Sequence, residues 1–203
     1  MKKNNNKHNL LALCVTLIFI TSTISGQRLD LYNNSGVLTI QLDPDYIDGD
    51  GRIIVDELQI KGGSDFAEYF DLNHDPSIAI KPGMLVSIDP LHPGSLMITD
   101  SRCDKKLVGV ISGANGIKAG VSMRQEETIA DGSYPIGLKG RVYVLATNEG
   151  GIIQPGDFIT SSSKKGYAMK AGNPSEAVGA IVGKAMTALD GPEGYILLLL
   201  NLQ

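Results

Sequence analysis

Two stretches of this chain repeat one another, and that repeat constrains the fold more than any single motif does. Ile80-Lys81-Pro82-Gly83-Met84-Leu85-Val86-Ser87 matches Ile153-Gln154-Pro155-Gly156-Asp157-Phe158-Ile159-Thr160. Gly94 and Met97 match Gly166 and Met169, and Val108-Gly109-Val110-Ile111 is matched with Val178-Gly179-Ala180-Ile181. Each copy closes on a strand-like run, Gly140-Arg141-Val142-Tyr143-Val144-Leu145 in the first and Gly194-Tyr195-Ile196-Leu197-Leu198-Leu199-Leu200 in the second. Within a copy, Pro-Gly pre-sets a turn, because proline fixes φ and glycine accepts positive φ. A strand runs out, a hairpin at Pro93-Gly94 or Lys165-Gly166 turns it, and a strand returns through the methionine. The Val-Gly pair opens the next strand, where a missing side chain lets another backbone pass closely. Two copies are too few for a solenoid, which needs about three. They predict a closed arrangement in which one copy completes the other's sheet.

The expected fold class is therefore all-β: an internally duplicated β-barrel or sandwich over residues 62–203, with repeats at about 80–146 and 153–203. Short N-terminal strands and at most one or two helical turns complete it. The 24 glycines exceed the roughly 7% of an average protein and suit many tight turns. Residues 27–61 read as a β lead-in, in which Val37 to Leu42 and Ile53 to Ile60 alternate apolar and polar. After Gly62-Gly63, the spacing of Asp65 and Glu68 is that of a capping box and predicts one helical turn. The last strand, Tyr195 to Leu200, is apolar on both faces and needs cover on both, either inside the domain or from a second subunit. A homo-oligomer is expected, with a trimer as its form.

Residues 1–26 have the order of a secretory signal. Lys2, Lys3 and Lys7 precede an uncharged apolar run from Leu10 to Ile20, and small and polar residues follow it. The run is too short for a membrane span, which needs about 20 residues, and bulky Leu13 argues against lipoprotein cleavage at Cys14. Cleavage is expected after Ser25 or Gly26, leaving an exported chain with no membrane span, in the periplasm, at the cell surface or secreted. Taking three lysines from the 18 basic residues leaves 15 against 22 acids, a net charge of −7. Nucleic acid is not an expected partner, since that affinity comes mainly from Lys and Arg neutralising phosphates. Cys103 alone survives in the exported part, so neither an intramolecular disulfide nor a thiolate zinc site is expected.

Few residue patterns point to chemistry. Asp48-Gly49-Asp50-Gly51 with Glu57 follows part of a calcium loop, in which clustered oxygens hold a hard cation and glycine allows the bend. Its flanks read as strands where that motif needs helices, and an Asp-Gly hairpin explains the same residues. Calcium is the one cofactor the sequence suggests, through Asp48, Asp50 and Glu57. Cys103 has no histidine brought near by spacing, and His74 and His92 sit in turn-like segments. Ser161-Ser162-Ser163-Lys164-Lys165 contains the parts of a Ser-Lys dyad, but adjacent residues do not orient a nucleophile against its base.

Gly63-Ser64-Asp65-Phe66-Ala67-Glu68-Tyr69-Phe70, the Pro-Gly strand and Val108-Gly109-Val110-Ile111-Ser112 together resemble a known family. It is the C-terminal autoproteolytic chaperone domain of phage neck-appendage and tail-spike proteins, with related bacterial tail-fibre-like proteins. The resemblance covers about residues 62–203. It implies a domain that helps an upstream β-rich fibre trimerise and then cuts itself off near its own N-terminus. Carried onto this sequence, the cut falls around Gly62-Gly63-Ser64, with Ser64, Asp65 and Glu68 as the catalytic residues. The expectation from sequence is thus an exported structural or assembly module. A self-cleaving peptidase is the enzymatic alternative, and a calcium-binding envelope module the third.

Overall fold

A computed structural model describes residues 28–47 and 50–201, so the expected signal segment lies outside the described residues. The chain divides into two units, one ending at Gln59 and one beginning at Ile60. In the first, β1 (Leu29–Tyr32), β2 (Leu38–Ile47) and β3 (Asp50–Val55) form an antiparallel sheet in that order. The second unit holds eleven strands in one continuous sheet. These are β4 (Asp65–Phe70), β5 (Leu72–Asn73), β6 (Leu85–Ile88), β7 (Leu96–Ile98), β8 (Leu107–Ile111), β9 (Ala119–Met123), β10 (Tyr134–Thr147), β11 (Phe158–Ser161), β12 (Ala168–Lys170), β13 (Gly183–Ala185) and β14 (Glu193–Asn201). The fold is all-β as expected, with one four-residue helix among the described residues, α1 (Pro174–Ala177), and two short 3-10 turns. Among the described residues no helix is long and apolar enough to cross a membrane.

The duplication is visible in the hydrogen bonding. In the first copy the order is β7-β6-β8-β10, and in the second it is β12-β11-β13-β14. Ser87 pairs with Met97 and Thr160 with Met169, the residues matched by sequence. The turns match as well: Met84 N donates to Lys81 O and Asp157 N to Gln154 O, while Gly83 and Gly156 share a φ of 93°. In the second copy, a parallel contact of β12 with β10 at Ala168 and Ala146 closes β10-β14-β13-β11-β12 into a five-stranded barrel.

One sequence match is corrected. Val178-Gly179 is not the counterpart of Val108-Gly109. Gly109 pairs with Val86, and the residue paired with the equivalent Ile159 is Gly183. Helix α1, capped by the Asn173 side chain accepting from Ser175 N, lengthens the connection in the second copy, and Gly179 falls in the turn that follows it. The reason for glycine is the same in both copies. A Cβ on Gly109 would lie 2.3 Å from Gly137 O, and one on Gly183 would lie 2.2 Å from Leu199 O.

Strand β10 explains how two copies share one sheet. Its first half pairs with β4 and β8, and its second half pairs with β14 from Lys139↔Asn201 to Thr147↔Glu193. Alternation then feeds two cores. Val142, Val144 and Ala146 enter the larger core with Ile159, Ile196, Leu198 and Leu200, whereas Ile136 and Leu145 enter the smaller one with Val86, Leu96 and Ile98. Strand β6 does the same with Leu85 and Val86.

One expectation changes here. Residues 65–70 form strand β4 rather than a helical turn, because β9 and β10 hydrogen-bond it on both sides and Phe66, Tyr69 and Phe70 suit a strand. Among the described residues the last strand is fully covered on one face only, which leaves the second source of cover named above open. Ile196, Leu198 and Leu200 are buried, while Tyr195 and Leu199 remain 38% and 46% exposed.

The revised match makes a stability prediction. Gly183→Ala should cost about 1–3 kcal/mol by overpacking against backbone. Gly179→Ala meets open space, with a φ of 76°, and should lose only the left-handed penalty of about 1–2 kcal/mol. Urea midpoints of the two variants check the order. Equal and small losses would contradict the placement of Gly183.

Candidate functional site

The segment proposed from sequence as a cut site lies in a slot built by other backbones. Ser64 N donates to Lys118 O at 3.0 Å, Arg141 N donates to Ser64 O at 3.0 Å, and Ser64 Oγ donates to Arg141 O at 2.7 Å. The walls are too close for side chains. A Cβ on Gly63 would sit 2.1 Å from Gly120 Cα, and one on Gly140 would sit 2.4 Å from Ser64 O. Beside the slot a cleft of about 290 Å³ is lined by Gly62, Gly63, Ser64, Lys118, Arg141 and Leu197 among others.

Asp65 begins β4 with its side chain turned inward and only 3% of its surface exposed. Neither carboxyl oxygen has a partner at hydrogen-bond geometry, and the Oγ of buried Ser112 is likewise without one. A Cβ on Gly137 would lie 2.9 Å from Asp65 Oδ2, so glycine there makes room for the carboxyl group. Burial pushes the Asp65 carboxyl above its ordinary value, and Ser112 nearby opposes that shift without cancelling it. Glu68 does not join it. Three residues along a strand reverse the face, so Asp65 and Ala67 point into the domain while Phe66 and Glu68 point away. The structure thus brings Ser64 and Asp65 into one backbone slot and leaves Glu68 on the opposite side of β4. Sequence reasoning gave no part in this site to Gly120, Gly137, Gly140 or Ser112, whose signal was that of small residues inside strand-like runs.

The acidic residues suggested for calcium are not gathered by what is described. Asp48 lies outside the described residues, and Ile47 pairs with Asp50 where β2 gives way to β3. Strand β3 then runs extended to Val55, leaving Glu57 exposed past its far end. Six extended residues cover roughly 17–20 Å, so β3 carries Glu57 away from Asp50 rather than back towards it.

The serines near Lys164 serve a turn. Ser161 Oγ donates to Ser101 O and accepts from Asp104 N. Ser162 Oγ donates to Tyr167 O, Ser163 Oγ donates to Glu149, and Lys164 pairs with Glu193 over the Tyr167 ring. Cys103 is half-buried at a positive φ of 48°, where its N donates to Ser161 O.

A cluster that the sequence did not reveal lies in the first repeat. Asn73 Nδ2 donates to Asp89 Oδ2 at 2.8 Å, His92 Nδ1 lies 2.8 Å from the same oxygen, and Leu91 N donates to Asp89 Oδ1. The Asn73 amide, followed by the Leu91 N–H, pulls the Asp89 carboxyl down to about 2. Asp89 borders a groove of about 540 Å³ that also includes His74, Asp75, Asp100 and Lys165.

No known family model matches this sequence, and no match is found among curated proteins. Among solved structures the chain is similar to the crystal structure of the pre-mature bacteriophage phi29 gene product 12, with a TM-score of 0.50 and 18% sequence identity over 81% of this chain. The match spans 24% of that protein, about a quarter of its length. At this identity the likeness is one of fold.

Two of the buried aspartates, Asp65 and Asp89, predict opposite pH slopes. Asp65 has a raised value when folded, so its contribution is most favourable below about 3.8 and is lost as pH rises through the folded value. Asp65→Asn, which does not ionise, should remove that fall. Asp89 has a lowered value, so its stabilisation is present above 3.8 and lost as pH falls towards about 2. Asp89→Asn should flatten stability over that acid window. Chemical denaturation at stepped pH checks both signs.

Proposed function

We propose that the chain is an exported structural and assembly module that works as a homo-oligomer, with a trimer as the expected form. Its role would be that of the C-terminal domains of tail-fibre and tail-spike proteins. One observation carries this reading: the outer face of β14. The inner face already fills the larger core, yet Tyr195 and Leu199 stay exposed outside it. Strand pairing continues the patch sideways, since Leu199 lies beside Lys184 and Lys184 beside Phe158, which is 43% exposed. Met186, 41% exposed, follows β13 directly. Lys184 stands between Leu199 and Phe158 with its ammonium over the Phe158 ring, and the exposed aromatic, leucine and methionine side chains around it are of the kind an interface covers. A copy of the same chain supplies the matching cover.

Two further facts support the reading. The fold likeness is to part of a protein of bacteriophage phi29, a setting in which a structural role is apt. The acidic balance and the N-terminal pattern of charge, apolar run and small residues favour an exported, non-nucleic-acid-binding chain.

Self-cleavage near Gly62-Gly63-Ser64 is the second reading, favoured by the buried, unpartnered carboxyl of Asp65 next to Ser64. Burial favours the protonated form of this carboxyl group, which lies beside the peptide bond that such a cut would break. Ser64 and Asp65 would act, and the outward-facing Glu68 would not share their side of the strand.

Intact mass and native mass of the purified exported chain separate the two readings. A full-length species assembling as a trimer is the expected result. A fragment beginning near Ser64, and lost in Asp65→Ala, would establish self-cleavage instead. A full-length monomer at all concentrations would overturn the assembly reading.

A further inference from the structure

The turn between β1 and β2 holds Asn33 by three of its four polar groups. Asn33 N donates to Val37 O at 2.9 Å and Gly36 N donates to Asn33 O at 3.0 Å. Ser35 N and Val37 N donate to Asn33 Oδ1 at 2.9 and 3.1 Å. Only an oxygen can accept those two backbone N–H groups, so the bonding itself tells Oδ1 from Nδ2. Nδ2 is the polar atom left over, and among the described residues it donates to nothing. Asn33-Asn34-Ser35 also has the order Asn-x-Ser with x not proline, the one such triplet in the sequence. Asn173-Pro174-Ser175 has the spacing, but it carries proline in the middle, and Asn173 Nδ2 is taken up by Glu176 Oε1 at 3.1 Å.

We propose that Asn33 is the acceptor of an N-linked glycan, the donor being a sugar activated as a lipid pyrophosphate. The inference is independent of assembly and rests only on the reading of the chain as exported. Asn-x-Ser in a surface turn of an exported chain is the pattern this modification takes. The chemistry asks for an amide nitrogen that is unbonded and fixed, with a hydroxyl two residues on for the transferase to hold. The turn supplies both. Asn33 lies in the loop beyond Tyr32↔Leu38, the last pair of the β1–β2 ladder. Its bonds hold the carboxamide in one orientation, and Ser35 is drawn to it through a backbone N–H, which leaves the hydroxyl free. Two donors on Oδ1 pull electrons towards oxygen, so a proton on Nδ2 is lost more readily as the new bond forms. In the transfer, Nδ2 bonds to the sugar's anomeric carbon and the bond from that carbon to the pyrophosphate oxygen breaks. The pyrophosphate leaves on its lipid, and the amide proton passes to a base of the transferase. The turn survives the modification, because none of its four bonds uses Nδ2.

The test expresses the full chain, N-terminal segment included, in a cell whose secretory route carries an oligosaccharyl transferase. Intact mass is read before and after treatment with peptide N-glycosidase. The expected result is a chain shortened at Ser25 or Gly26 and heavier by one glycan, which the glycosidase removes. Asn33→Asp keeps an oxygen for Ser35 N and Val37 N, and it should lose the glycan without losing the turn. Ser35→Ala keeps both N–H bonds and should lose the glycan as well, whereas Ser35→Thr should retain it. Thermal transitions matching the wild type serve as the folding control for all three. A shortened chain that carries no glycan overturns the inference and leaves the export reading standing. An unshortened chain overturns export and the inference with it. A glycan that persists in Asn33→Asp sits elsewhere on the chain and overturns the assignment to Asn33.

Discussion

Strand β10 belongs to both halves of the duplicated domain, and the remaining architecture depends on that sharing. Its fourteen residues give one edge first to β8 and then to β14, and the other to β4 and a single residue of β12. Neighbouring residues of the strand enter different cores, Val144 one and Leu145 the other. Two small cores, each too modest to hold a separate fold, are thereby locked into one. The register shift between Gly137 and Lys139 in the pairing with β4 lets a single strand serve both halves, because a bulge bends the strand and changes its twist.

The slot at Ser64 lies beside this register shift. Gly137 and Gly140 remove the side chains that would otherwise fill the space beside Asp65 and Ser64. An aspartate enclosed by backbone and apolar neighbours, without a hydrogen-bonding partner, costs stability whenever it is ionised. A chain selected for stability alone would place a hydrophobic residue or an asparagine there. The cluster at Asp89 is the reverse case, a carboxylate whose lone pairs are met by Asn73, Leu91 and His92, and which anchors a hairpin.

How much of this was legible beforehand follows from which interactions are local. The all-β class, the duplication, the Pro-Gly turns and the strand through Met97 or Met169 come from propensity and spacing, and these are encoded within a few residues. Ser64 and Asp65 were legible as a motif. Their slot was not, because Lys118, Gly120, Gly137 and Arg141 reach it from far along the chain. The capping-box spacing at Asp65 pointed to a helix, and the ladders from β9 and β10 made it a strand, since two sets of interstrand hydrogen bonds outweigh one cap. The Val-Gly match failed for a related reason: α1 inserts residues whose only trace in the sequence is a shifted spacing, and the crossing of β14 over Gly183 decides which glycine is required. Sequence by itself determined the period, the turns and which residues are apolar. The tertiary structure alone decided which faces of the strands meet, because a strand buries either side equally well until its neighbours choose one.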